Sequence, residues 1–156
     1  MTHHLAQINI ARFRHPVADP VNADFVGALD RVNAIAEVQP GFIWRLVGAG
    51  NNALDLHAYD DPNIAVNISV WDSLEALSDF VYRNPAHREI LMRRRTWFEP
   101  IETHMALWWT PQGHLPTVDE GRGRLEYLQR HGPTPAAFRF NAPFAAPVAS
   151  AWESLA

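Results

Sequence analysis

The sequence predicts an α+β domain of ferredoxin-like order, β-α-β-β-α-β, with an antiparallel sheet. Two observations predict it. Short stretches of alternating hydrophobicity, period 2, are interleaved with two stretches of helical period, and the punctuation between them is Pro, Gly, Asn and Asp. The strand–helix order is that of the split βαβ motif, which places helices on one side of the sheet.

The first strand is His4–Phe13, with Ala6, Ile8 and Ile10 on one face and Leu5, Gln7, Asn9, Ala11 and Phe13 on the other. Asp19-Pro20 opens a helix whose apolar stripe is Val21, Phe25, Leu29, Val32 and Ile35/Ala36, stopped at Pro40-Gly41. Gly41–Val47 reads as a second strand, with Phe42, Trp44 and Leu46 together on one face. Ala53–Tyr59 extends this hairpin or forms a short strand of its own, between the turns Gly48–Asn52 and Asp60–Asn63.

Ile64–Phe98 carries the most information. Ile64, Val66, Ile68 and Val70 give one apolar strand face. The other face carries Ala65, Asn67, Ser69 and Trp71, and an amide, a hydroxyl and an indole in a row call for a reason. Asp72 with Glu75 reads as a capping box for a helix buried through Leu74, Leu77 and Val81. Asn84-Pro85 breaks that helix. A second segment runs to Phe98, with His87, Ile90, Leu91, Arg94, Trp97 and Phe98 along one face.

His104–Thr110 is the last core strand, with Met105, Leu107 and Trp109 opposite His104, Ala106 and Trp108. Thr117 and Glu120 cap a final helix ending before Gly132-Pro133. The tail from Thr134, rich in Ala, Pro and Phe, lacks periodicity and is expected to lie over the body or a partner. One domain over residues 1–156 follows, with the helix and irregular tail of 117–156 appended. An apolar sheet face carrying Ile8, Ile10, Phe42, Trp44, Val66, Ile68, Leu107 and Trp109 must be covered. Either helices cover it or a second copy does, giving a homodimer.

Composition narrows the function. A formal charge of -4 and a single basic cluster, Arg93–Arg95, argue against nucleic acid. No Cys is present, which removes disulfides, thiolate metal sites and cysteine nucleophiles. The start of the chain is unlike a signal peptide and no apolar run spans a bilayer, so a cytoplasmic protein without membrane contact is expected. The eight His lack a metal-binding spacing, and no phosphate loop, dinucleotide fingerprint or nucleophile elbow occurs.

The chain resembles the dimeric α/β-barrel superfamily. Val70–His87, with V-W-D-S-L-E-A-L followed by Phe and His, is similar to the third strand and second helix of antibiotic-biosynthesis monooxygenases and related haem-degrading enzymes. LAQINIARFR, VNISVWDSLEALSDFVYR, RRRTWFEP, LWWTPQGHLPT and HGPTPAAFRF resemble a bacterial family of domains of unknown function over nearly the whole chain. The monooxygenase resemblance implies roles for Trp71 at the strand end, Asn67 four residues earlier and Asn9 on the first strand. His87 stands for the helical His of the haem degraders, although it lies beyond the Asn84-Pro85 break.

The expected site therefore has His87, Asn67, Trp71 and Arg94 as catalytic candidates. Asn9, Gln7, Ser69, His104 and Trp108 are expected around a small-molecule substrate. Amides hold a quinone or enolate oxygen, the indole stacks on a flat ring, His87 moves a proton, and Arg94 meets a carboxylate or oxyanion. The plainer alternatives are amides satisfied within a core, a structural His87 bonded to backbone, and an Arg94 whose stem covers apolar surface or whose head pairs with Glu99 or Glu102. In function, the resemblance implies a cofactor-independent monooxygenase or an isomerase/cyclase on an aromatic or polycyclic substrate. The alternatives are a haem-binding or haem-degrading protein using His87, or a non-enzymatic ligand-binding dimer.

Overall fold

A computed structural model describes residues 2–147. The strands are β1 (His3–Phe13), β2 (Phe42–Arg45), β3 (Ile64–Trp71), β4 (Phe98–Glu99) and β5 (Met105–Pro111). The helices are α1 (Ala23–Glu37), α2 (Leu74–Arg83), α3 (Pro85–Trp97) and α4 (Val118–His131). β1 is central: β3 pairs with one of its edges and is flanked by β2, while β5 and β4 pair with the other, all antiparallel. This is the ferredoxin-like sheet that the element order predicts.

The β1–β3 register sets Gln7 opposite Ser69, Asn9 opposite Asn67 and Leu5 opposite Trp71. Because side chains alternate, these residues share the face under α1, α2 and α3, where Leu5, Trp71, Leu77, Phe80 and Leu107 pack. Ile8, Ile68, Val70, Ala106 and Trp108 fill the opposite face.

That opposite face is the one expected to need either a helix or a second copy. A helix covers it, from beyond the ferredoxin-like repeat. Leu125 and Leu128 of α4 join Ile8 and Ile68, and all four are fully buried. Helices thus stand on both faces rather than one, and on this face α4 buries Ile8 and Ile68. Gly121 permits the contact, since a Cβ there would lie 2.8 Å from Ile68 Cδ1 and 3.0 Å from Ile8 Cδ1.

Other expectations shift locally. In β2, Phe42 pairs with Trp71 but Trp44 pairs with Val70, so Ile43 is an extra residue in a bulge. The bulge puts Phe42 under the helices and Trp44 on the α4 side, separating residues that strict alternation joins. Leu107 and Trp109, opposite Gln7 and Leu5, likewise lie on the helix side. Ala53–Tyr59 contains no strand; it is a turn-rich loop. The α2 cap is Ser73, whose Oγ accepts from Ala76 N (3.1 Å), rather than Asp72. Thr117 caps α4 as expected, accepting from Glu120 N, but Glu120 turns away to His114 (2.8 Å).

The tail lies over the body. Leu107 and Phe138 exchange two backbone hydrogen bonds (2.9 and 2.8 Å), and Trp109 Nε1 donates to Phe144 O (2.8 Å). These bonds occupy the outer edge of β5, which would otherwise offer unpaired backbone groups. The end of the tail, residues 148–156, lies outside the described residues.

The close approach of α4 is open to test. Gly121→Val is expected to lower unfolding free energy by about 1–3 kcal/mol, the usual cost of overpacking, read from urea denaturation. An unchanged midpoint would contradict the contact.

Candidate functional site

A cavity of about 260 Å3 lies between the polar sheet face and helices α1–α3. Its floor is the β1–β3 ladder: Gln7, Asn9, Asn67, Ser69 and Trp71. Leu29 and Val32 of α1, Leu77 and Phe80 of α2, and His87 and Leu91 of α3 form much of the remainder. Loop residues Asn52–Leu54 contribute one side. The loop is held by Arg45, whose Nε donates to Glu37 Oε1 (2.7 Å) and whose Nη atoms donate to Asn51 O (2.8 Å) and Oδ1 (3.0 Å).

The polar floor is internally connected. Asn9 Nδ2 donates to Gln7 Oε1 (3.1 Å), Gln7 Nε2 to Ser69 Oγ (2.7 Å), and Trp71 Nε1 to the same Oγ (2.9 Å). Gln7 and Ser69 are buried, while Asn67 is exposed at the rim. The amide side chains are thus partly satisfied among themselves, as the plainer alternative required, yet they still face a cavity.

The floor runs into an aromatic wall at its Trp71 end. Phe42 meets Trp71 edge-on (5.3 Å between centroids), Trp71 stacks on Phe80 (5.5 Å, 26°), and Phe80 tilts against His87 (4.9 Å). Ring pairs at these spacings are favourable beyond simple area burial. Phe80 was not among the predicted site residues, although it lies three positions after Leu77 on the buried stripe of α2.

His87 owes its position to the helix break. In an unbroken helix the Val81 carbonyl would accept from the amide of residue 85, but Pro85 has none. His87 Nδ1 lies 2.9 Å from that carbonyl and, facing an acceptor, donates to it. Asn84 Oδ1 caps α3 by accepting from Ala86 N and His87 N. The bond to Val81 leaves the lone pair of the neutral ring on Nε2. Burial pushes the His87 pKa below its ordinary 6.5, opposed by the Val81 bond. His104, at the cavity edge, is also lowered, by burial first and by the nearby Arg94 charge in addition, against a bond to the Ile101 backbone.

Eight of the nine predicted site residues therefore line one cavity: Gln7, Asn9, Asn67, Ser69, Trp71, His87, Arg94 and His104. Trp108 does not. It is buried on the far face near Arg124 (5.9 Å), because β5 alternation puts it with Ala106. His104 precedes β5 and escapes that alternation. Arg94 is exposed, donates to Leu91 O, and pairs with neither Glu99 nor Glu102. Among the described residues no cluster of three His, Cys, Asp or Glu could hold a metal ion, and no helix is long and apolar enough to cross a membrane.

The family model for a domain of unknown function (DUF3291) matches residues 4–154. The chain belongs to this family. No curated protein matches it in sequence. Among solved structures it is similar to a protein from Shewanella oneidensis at a TM-score of 0.52 and 9% identity, over 70% of this chain and 93% of that one. A conserved protein from Methanosarcina mazei Go1 gives 0.52 and 12%, over 69% and 92%. The cofactor-independent oxygenase SnoaB from Streptomyces nogalater gives 0.49 and 20%, over 74% and 99%. At these identities the first two similarities show a shared fold.

The lowered His87 pKa makes stability depend on pH. The unfolded chain takes up this proton at higher pH than the folded chain. The contribution is therefore present above pH 6.5 and is lost as pH falls through the folded value. Urea midpoints are expected to fall from about pH 7.5 to about pH 5.5, and to fall less in His87→Gln. The same pH dependence in both proteins would contradict the burial argument for His87.

Proposed function

We propose that this chain is a small-molecule enzyme acting on a flat aromatic or polycyclic substrate that carries an oxygen on its ring. The observation that carries the reading is one cavity with an aromatic wall, Phe42–Trp71–Phe80–His87, set against a hydrogen-bonded row of amides and a hydroxyl. Apolar walls with a few convergent polar groups are the usual make-up of ligand sites. A ring stacks on the wall, and its oxygen meets the row.

The chemistry that suits this arrangement begins at a carbon whose carbanion is conjugated with a ring carbonyl. His87, neutral and with its Nε2 lone pair available, takes a proton from that carbon. The charge moves onto the carbonyl oxygen, where Asn67 and Ser69 donate hydrogen bonds to the enolate. In an isomerase or cyclase the proton returns at another position or the carbanion closes a ring. In an oxygenase the carbanion gives its electrons to dioxygen and a C–O bond forms. The resulting hydroperoxide loses water to leave a new carbonyl, so a CH2 group and O2 become C=O and H2O. The reaction needs no cofactor.

Haem fits this site poorly. The cavity, about 260 Å3, lies just under the ~300–1,000 Å3 of drug-sized ligand pockets, which suits a substrate of two or three fused rings and not the larger haem.

Oxygen uptake with anthrones and hydroxylated naphthalenones tests the reading. Turnover by the purified protein in the presence of a chelator is expected. Asn67→Ala and Trp71→Phe are each expected to lower kcat/KM about tenfold, the effect of one transition-state interaction. Binding without turnover would make the protein a ligand carrier, and unchanged turnover in both variants would overturn the site assignment.

A further inference from the structure

The polar row has a direction, and the direction selects the ligand. A serine hydroxyl has two acceptor positions and one proton. At Ser69 both acceptor positions are taken, by Gln7 Nε2 (2.7 Å) and by Trp71 Nε1 (2.9 Å). The indole nitrogen can only donate, so the Trp71 bond has one polarity. In this arrangement Asn9 Nδ2 donates to Gln7 Oε1 (3.1 Å), and the Gln7 NH2 faces Ser69. What remains at Ser69 is its proton. No acceptor among the described residues takes it, and Ser69 is 6% exposed and lines the cavity. Arg45, opposite Ser69 across the β2–β3 ladder, is itself only a donor and is committed to Glu37 and Asn51.

We infer that Ser69 is the residue that reads the ligand: its hydroxyl donates to a carbonyl or enolate oxygen held against Trp71, with Asn9 and Gln7 as positioning residues that keep the proton aimed at the ligand. The inference rests on the cavity being a substrate site and names which oxygen chemistry that site accepts. Two donated bonds polarise the hydroxyl and strengthen the third. A ring without an oxygen leaves the proton unpaired in a buried place, and a ring bearing N–H at that point sets donor against donor. Both cost affinity, in the way that a site built for a hydrogen bond rejects an analogue lacking the partner. The carbonyl is favoured further when it becomes an enolate, because the same donor then meets a full charge.

The probes are 1,4-naphthoquinone with a 13C-labelled carbonyl, and naphthalene. Quinone is expected to bind the wild-type protein about tenfold more tightly than naphthalene, with its carbonyl stretch lowered by the hydrogen bond. In Ser69→Ala, quinone affinity should fall about tenfold and the stretch should return toward its value in solution, while naphthalene is unaffected. Gln7→Glu keeps the side-chain size but supplies an acceptor for the Ser69 proton. It should produce the same loss, and it carries the test if Ser69→Ala does not fold. Equal affinity for the two probes, or a carbonyl stretch unchanged by both substitutions, would overturn the role of Ser69 while leaving the cavity as a ligand site. Failure of the wild-type protein to bind either probe would overturn the cavity reading and this inference with it.

Discussion

The β1–β3 register governs the rest of the molecule. Gln7 stands opposite Ser69 and Asn9 opposite Asn67, so four polar side chains meet on one face and Ile8, Ile10, Val66 and Ile68 meet on the other. A slip of one residue would send every side chain on the slipped strand to the wrong face. It would bury the polar row under α4 and turn the apolar row toward the cavity. Both faces are specified, because each has its own cover: α1–α3 over one, α4 over the other. The site is therefore a by-product of the same constraint that fixes the fold.

The helix break is the second determinant. Asn84-Pro85 ends α2 and caps α3, and it turns the chain so that α3 also lines the cavity. The break leaves the Val81 carbonyl without its helical donor, and His87 supplies one. One hydrogen bond thus repairs the joint, fixes the imidazole tautomer and places the ring beside Phe80 and the aromatic wall. The bond that repairs the joint also leaves Nε2 free for the proposed proton transfer.

Much of this was legible in the sequence where the signal is local. Alternation along His4–Phe13 and Ile64–Trp71 identified both central strands and the polar face they share, and Asn84-Pro85 marked the helix break. What was not legible depends on partners distant in the chain. The bulge at Ile43 leaves no mark on GFIWRLV, yet it sends Phe42 and Trp44 to opposite faces. Alternation groups Trp108 with His104, but His104 lies just before the strand and does not share its alternation, so only His104 reaches the cavity. Helix α4 shows an apolar spacing at Gly121, Leu125 and Leu128, but nothing local says that it covers the second sheet face.

The proposed site is the cavity on the Ser69–Trp71 face, and the other face of the sheet is covered by α4. The indole N–H signals of Trp71 and Trp108 report on the two faces, because the rings lie on opposite sides of one sheet. A 1H–15N titration with 1,4-naphthoquinone is the most direct measurement. The account predicts a saturable shift of the Trp71 indole signal, with the Trp108 signal unmoved. A shift confined to Trp108, or a stationary Trp71 signal at saturating quinone, would contradict it.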